Sequence, residues 1–139
     1  MIPRSILFDT LRPYSLKSSI VKQIVYWNLE LNIKPEKKED LQSLVDEMVK
    51  QTEANEPGTL IYEWQIDGDM SECHILERFV DSDALMAHLG NFQAHFAEKF
   101  FNILEIKRWQ VYGNPSDQVK ETLGSMGAQF FSQVGGFSR

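Results

Sequence analysis

The sequence predicts an α+β fold of the ferredoxin-like type, in which a four-stranded antiparallel sheet carries two helices on one face. Three observations lead to this prediction. Apolar and polar residues alternate in segments of the chain, as they do along half-buried strands. Other segments repeat apolar residues at intervals of three and four, as amphipathic helices do. The order of these segments is strand, helix, strand, strand, helix, strand, which is the βαββαβ arrangement.

The first predicted strand covers residues 21–33, where alternate side chains form one apolar face: Val25, Trp27, Leu29, Leu31 and Ile33. Asn28 lies on the other face, in mid-strand, where asparagine is disfavoured. Pro35 ends the strand and suits the first position of a helix, which does not use the amide hydrogen that proline lacks. The following helix has one apolar stripe: Leu41, Leu44, Val45, Met48 and Val49.

A hairpin is predicted for the second and third strands. The sequence Glu-Pro-Gly at 56–58 ends the first helix, since proline and glycine both interrupt helical structure. The second strand covers 59–66, and Asp-Gly-Asp at 67–69 is a hairpin signal before the third strand at 71–80. The pattern therefore predicts two antiparallel neighbours in the sheet.

The second helix begins after residues 81–83, whose aspartate and serine side chains are candidates for its N-cap. Its apolar residues keep helical spacing: Leu85, Leu89, Phe92, Phe96 and Phe100. Gly90 and Asn91 predict a kink within this helix, because both residues weaken helical structure. The fourth strand is predicted over residues 104–112.

Three regions are predicted along the 139 residues. Residues 1–20 form an N-terminal extension, residues 21–113 form the ferredoxin-like domain, and residues 114–139 form a C-terminal extension. The C-terminal extension begins with a short helix over 116–123 and ends in a tail rich in glycine and phenylalanine. Three phenylalanines in so short a tail predict that it docks on a surface.

The net charge of −6 argues against a nucleic-acid partner or an anionic membrane surface, because both bind clustered lysine and arginine. No apolar run approaches the roughly 20 residues that a membrane span needs. Cys73 is the single cysteine, so no disulfide forms within the chain and a reducing, cytoplasmic location is expected. The sheet face opposite the helices is expected to hold many apolar residues, which a homodimer packed face to face would cover.

Several short segments resemble the antibiotic biosynthesis monooxygenase family. They are Glu-Pro-Gly-Thr-Leu-Ile-Tyr-Glu-Trp at 56–64, Leu-Glu-Arg-Phe at 76–79, Asp-Ser-Asp-Ala at 81–84 and Ala-His-Leu at 87–89. The resemblance runs from about residue 24 to residue 113. It implies a dimeric α/β barrel, a group that includes small quinol monooxygenases.

The resemblance also implies a reaction. Such an enzyme oxidises a small, electron-rich, quinol-like or polyphenolic substrate with molecular oxygen and without metal, flavin or haem. His88 is then the expected catalytic base, because an imidazole titrates near neutral pH. Tyr62 and Trp64 would form an aromatic wall of the substrate site, and Asn91 would bind a substrate oxygen.

Phe92 and His95 follow His88 at helical spacing and are further candidates for the substrate site. Asn28 is another, because related haem-degrading enzymes place an asparagine on the first strand. Those enzymes also carry a tryptophan on the second helix, which this helix lacks, so haem degradation is not expected. Two histidines seven residues apart lie about 10 Å apart along a helix, too far to hold one metal ion, and no metal site is predicted.

Other interpretations of the same residues stay open. Tyr62 and Trp64 also suit ordinary core packing, and Glu77, among apolar strand residues, suits a structural ion pair with Arg108. The alternative to an enzyme is a non-catalytic homodimer of the same fold that binds an aromatic ligand or is purely structural. A third class is another small-molecule enzyme, such as an isomerase. The sequence does not identify the substrate.

Overall fold

The computed structural model describes residues 23–139, so the predicted extension at 1–20 lies outside the described residues. The sheet contains five strands: β1 (Val25–Ile33), β2 (Thr59–Ile66), β3 (Glu72–Phe79), β4 (Leu104–Gly113) and β5 (Gln129–Phe130). Their order across the sheet is β2-β3-β1-β4-β5. Strands β1 to β4 pair antiparallel, whereas β5 pairs parallel to β4.

The helices are α1 (Leu41–Asn55), α2 (Ser82–His95), α3 (Ala97–Ile103) and α4 (Asp117–Ser125), with a 3₁₀ turn before α1. This order of elements confirms the predicted α+β, ferredoxin-like fold. The sheet nevertheless has five strands rather than four, because the C-terminal segment returns after α4 and adds β5 to the edge of β4. A strand of two residues is too short to show alternation in the sequence.

The N-cap of the helix after β3 agrees with the prediction, whereas the position of the break in this helical region differs from it. The side chain of Asp81 caps α2 by accepting a hydrogen bond from the Ala84 amide at 2.8 Å. The helix then runs through Gly90 and Asn91 without interruption and ends at His95. The break lies at Phe96, whose non-helical φ of −127° separates α2 from α3. The predicted kink at Gly90 is therefore wrong, because the helix tolerates one interior glycine.

The two faces of the sheet differ in composition. The apolar residues of β1, which include Trp27 and Leu29, face the helices and form the core with Ile75 of β3. The opposite face is more polar than predicted. It presents Tyr26 and Leu76, both more than a third exposed, among charged and amide side chains. The cause is the alternation along β1, which puts nearly all of its large apolar residues on the helix side.

Candidate functional site

A cavity of about 40 Å³ lies between the sheet and the helices. Its walls are mainly aromatic and aliphatic: Trp27, Leu29, Met48, Tyr62, Ile75, Leu89, Phe92, Phe100, Phe101, Ile106, Trp109 and Met126. Its polar end is formed by Glu77 and His88. An apolar cavity with a few convergent polar groups is the usual form of a small-molecule site.

The polar end of the cavity is a buried carboxylate–imidazole–carboxylate cluster. His88 Nδ1 lies 2.7 Å from Glu56 Oε1, and His88 Nε2 lies 2.8 Å from Glu77 Oε1. Trp27 Nε1 donates a hydrogen bond to Glu77 Oε2 at 2.5 Å. The side chains of the three ionisable residues are at most 8% exposed. Both ring nitrogens of His88 are therefore committed to carboxylates within the protein interior.

Glu56 reaches this cluster from the loop between α1 and β2. Gly58 allows the loop to approach α2 closely, since a Cβ on Gly58 would lie 2.6 Å from the Cβ of Ala84. Two further residues orient the carboxylate of Glu56: Thr59 Oγ1 donates at 2.9 Å, and Asn91 Nδ2 donates at 3.3 Å. The Glu-Pro-Gly sequence therefore positions a buried acid as well as ending the helix.

The electrostatics of the cluster favour its charged form. Burial alone would lower the pKa of His88, but the carboxylates of Glu77 and Glu56 outweigh that effect and raise the pKa to about 10. Burial acts to raise the pKa of Glu56, yet the bonds from His88, Thr59 and Asn91 hold that pKa below its usual value. At neutral pH the cluster therefore contains an imidazolium beside an ionised Glu56.

Tyr62 and Trp109 add polar atoms to the cavity wall. Burial, and then the negative charge of Glu77, raises the pKa of Tyr62 far above its ordinary value, so its hydroxyl stays protonated. Trp109 is 4% exposed and packs edge-on against Trp27. Within residues 23–139, neither the Tyr62 hydroxyl nor the Trp109 Nε1 has a hydrogen-bond partner. Two buried hydrogen-bond donors of the described cavity wall are therefore unpaired, a costly arrangement in a folded protein.

Three of the predicted site residues line the cavity, namely His88, Tyr62 and Phe92. Trp64 lies beside them and packs edge-on against Tyr62, with 6.3 Å between the ring centroids, and against Phe100. Asn91 takes a different place from the expected one, because its amide donates to Glu56. His88 contacts a carboxylate through each ring nitrogen, and these carboxylates raise its pKa.

Two predicted site residues lie elsewhere. Asn28 is on the sheet face opposite the helices, because it alternates with Trp27 and Leu29, which line the cavity. His95 is exposed at the end of α2, since seven residues carry it about 10 Å along the helix from His88. Neither side chain is among the residues that line the cavity.

The expected ion pair between Glu77 and Arg108 is also absent from the described structure. Glu77 faces the helices and contacts His88 and Trp27, whereas Arg108 is exposed and lies opposite Glu30 in the register of β1 and β4. The need of a buried carboxylate for a partner was correctly inferred. The identity of that partner was not predicted, because a sequence does not show which distant residue faces a given carboxylate.

Glu30, Glu72 and His74 form a second ionisable group, with ligand atoms within 4.8 Å of one another. The Lys107 ammonium already contacts Glu72 at 2.8 Å and neutralises part of its charge. All three residues are only partly buried. The arrangement is that of a surface ion-pair network linking β1, β3 and β4.

The ferredoxin-like domain thus combines an apolar cavity with a buried acid–base cluster. Residues 24–99, more than half of the chain, match the model of the antibiotic biosynthesis monooxygenase family. The chain belongs to this family. Comparison with curated proteins gave no match.

Solved structures support the same assignment. MupZ from Pseudomonas fluorescens is 27% identical with a TM-score of 0.74, and the similarity covers 84% of this chain and 95% of that one. A Deinococcus radiodurans protein described as a putative antibiotic biosynthesis monooxygenase is 25% identical with a TM-score of 0.51, and the similarity covers 66% of this chain and 93% of that one. A similarly described protein from Bacteroides thetaiotaomicron, 17% identical with a TM-score of 0.56, shares the fold. The similarity to MupZ therefore extends beyond residues 24–99.

Proposed function

We propose that the chain is a cofactor-independent monooxygenase of small electron-rich aromatics, such as hydroquinones and related polyphenols. Membership of the monooxygenase family supports the reaction type. The observation that carries the proposal is the Glu56–His88–Glu77 cluster at the polar end of an aromatic cavity. Such a site can bind an aromatic ring and remove its hydroxyl proton in an environment largely free of water.

In this proposal Glu77 accepts the proton. It lines the cavity, whereas both nitrogens of His88 already contact carboxylates. When Glu77 takes the proton, the cluster becomes neutral overall, because the imidazolium of His88 then balances Glu56 alone. The new phenolate faces a neutral cluster instead of a negative one. His88 has a positioning role here, and its positive charge lowers the cost of forming the phenolate.

The following oxidation needs no external reductant. The phenolate of a hydroquinone is electron-rich and reduces molecular oxygen. One oxygen atom forms a new bond to a ring carbon, and the other leaves as water with two hydrogens from the substrate. One hydroquinone and one dioxygen therefore give one hydroxyquinone and one water. The four electrons that dioxygen accepts all come from the ring.

Oxygen uptake with a panel of hydroquinones and naphthols tests the proposal. The purified protein should consume one dioxygen for each hydroquinone, above the rate of spontaneous oxidation, and isotopically labelled dioxygen should leave one labelled atom in the product. A rate equal to that without protein, for every compound, contradicts the proposed reaction.

A second candidate function is proton transfer within a neutral substrate, as an isomerase performs. One observation favours it: an acid and a base, the imidazolium of His88 and the carboxylate of Glu77, lie 2.8 Å apart at the cavity. Incorporation of deuterium from heavy water into a carbonyl substrate, under nitrogen, distinguishes this reaction from oxygenation. The non-catalytic alternative, an aromatic-ligand-binding homodimer, gains support if ligands bind and neither reaction occurs.

The proposal includes a homodimer formed through the sheet face opposite the helices, in the cytoplasm. Tyr26 and Leu76 on this face are each more than a third exposed, and a second copy would cover them. In residues 23–139, no helix is long and apolar enough to span a bilayer. Sedimentation at the mass of two chains is expected, and sedimentation at the mass of one chain contradicts the dimer.

A further inference from the structure

We infer that the cavity selects uncharged ligands that present an acceptor oxygen to Tyr62 or Trp109, and that it discriminates against carboxylates. The inference deepens the proposed function by naming the chemical class of its substrate. It rests on that function only for the reaction that follows binding. The selection itself depends on the charges and the hydrogen-bond donors around the cavity.

The charge of the cluster argues against an anionic ligand. The imidazolium of His88 lies between two carboxylates, Glu56 and Glu77, so the group carries a net charge of −1. Among the described residues that line the cavity, none is lysine or arginine. A carboxylate in this cavity would lose its hydration and meet a negative cluster without a compensating cation. Anions should therefore bind poorly.

The unpaired donors indicate what a ligand should supply. An indole N–H can only donate, so the buried Trp109 Nε1 needs an acceptor. The Tyr62 hydroxyl is also unpaired and stays protonated, so it can donate as well. Both residues line the cavity. A carbonyl, ether or phenolic oxygen is an acceptor and can satisfy either donor.

An ammonium ligand is the competing possibility, because aromatic walls and a negative cluster also suit a cation. An ammonium group has donors and no acceptor. It would leave the Trp109 N–H unpaired in the protein interior. The donors therefore favour a neutral acceptor over a cation.

Four ligands of similar size separate these possibilities: acetophenone, ethylbenzene, benzoate and benzylamine. They share one ring and differ in the group that would face the donors. Dissociation constants can be measured by ligand-observed nuclear magnetic resonance on the full chain. Acetophenone should bind about tenfold more tightly than ethylbenzene, as expected for one or two net hydrogen bonds. It should also bind at least about tenfold more tightly than benzoate and benzylamine.

Variants identify the residues responsible. Tyr62→Phe and Trp109→Phe each remove a donor and keep an aromatic ring, so at least one of them should weaken acetophenone binding by about three- to tenfold. Ethylbenzene binding should change much less. Tyr26→Phe is the matched control, because Tyr26 lies on the opposite face of the sheet, and it should change neither ligand.

The outcomes are distinguishable from those of the oxygen-uptake test. Benzoate or benzylamine binding as tightly as acetophenone overturns the inference, and so does a failure of acetophenone to bind. Equal weakening of acetophenone and ethylbenzene in both donor variants also overturns it, since that pattern reports packing alone. If the predicted preference appears while no hydroquinone is oxidised, the inference stands and the proposed oxygenation fails.

Discussion

Replacement of His88 by alanine is expected to lower the free energy of unfolding by about 3–5 kcal/mol, the usual loss when one partner of a buried ion pair is removed. The imidazolium is the charge that lies between Glu56 and Glu77, whose side chains are 7% and 2% exposed. Without it, two carboxylates face each other in an apolar interior. Urea unfolding at neutral pH, followed by tryptophan fluorescence, measures the loss.

Two further variants separate this electrostatic effect from the loss of packing. His95→Ala removes an exposed imidazole from the same helix and should change stability by no more than about 0.5 kcal/mol. Adding Glu77→Gln to His88→Ala removes one of the two opposed carboxylates. The double variant should therefore be more stable than His88→Ala alone. A double variant that is less stable than the single one contradicts the electrostatic account.

The same cluster makes stability depend on pH. Because the folded-state pKa of His88 is raised from 6.5 to about 10, its contribution is fully present below pH 6.5 and is lost as the pH rises towards 10. Glu56 acts in the opposite direction. Its pKa is lowered on folding, so its contribution is present above its usual pKa and is lost as the pH falls through the folded value.

Glu77→Gln is expected to reduce kcat for hydroquinone oxidation by about 10²- to 10⁴-fold, the usual contribution of a general base. Glutamine keeps the shape of the side chain and can still accept the hydrogen bond from Trp27. It cannot take the substrate proton. The KM should change much less than kcat, because the apolar walls that bind the ring are unchanged.

Glu63→Gln is the matched control for this variant, since Glu63 is an exposed carboxylate on β2. It should retain the wild-type rate. Circular dichroism and urea unfolding of both variants establish that the compared proteins are folded. A Glu77→Gln protein that is folded and oxidises hydroquinones at the wild-type rate removes Glu77 from the role of base.

The fold was predictable because it depends on local patterns. Alternation along β1 and the cap at Asp81 both result from interactions within a few residues, and both are found in the structure. The short strand β5 is not predictable from the sequence. It has only two residues, too few to show an alternating pattern, and it forms by pairing with β4. The predicted kink at Gly90 lies six residues before the observed break at Phe96, because a single glycine weakens a helix without ending it.

The candidate site was harder to predict, because it joins residues that are distant in sequence. Glu56 lies in a helix-breaking loop, where a carboxylate is ordinarily solvated, so no local pattern indicates that it is buried beside His88. Asn28 resembles a site residue of related enzymes only by analogy, and its position in the alternation of β1 puts it on the other face from Trp27. Glu77 carried the useful signal, since a carboxylate among apolar strand residues requires a partner.

Nitrogen-15 chemical shifts of the histidine rings report the protonation state of His88. This measurement tests most directly whether an imidazolium lies between Glu56 and Glu77. The exposed ring of His95 serves as an internal reference. His88 is expected to carry protons on both ring nitrogens at neutral pH and to lose one only as the pH approaches about 10. A His88 ring that becomes neutral near pH 6.5 would contradict an imidazolium held between Glu56 and Glu77.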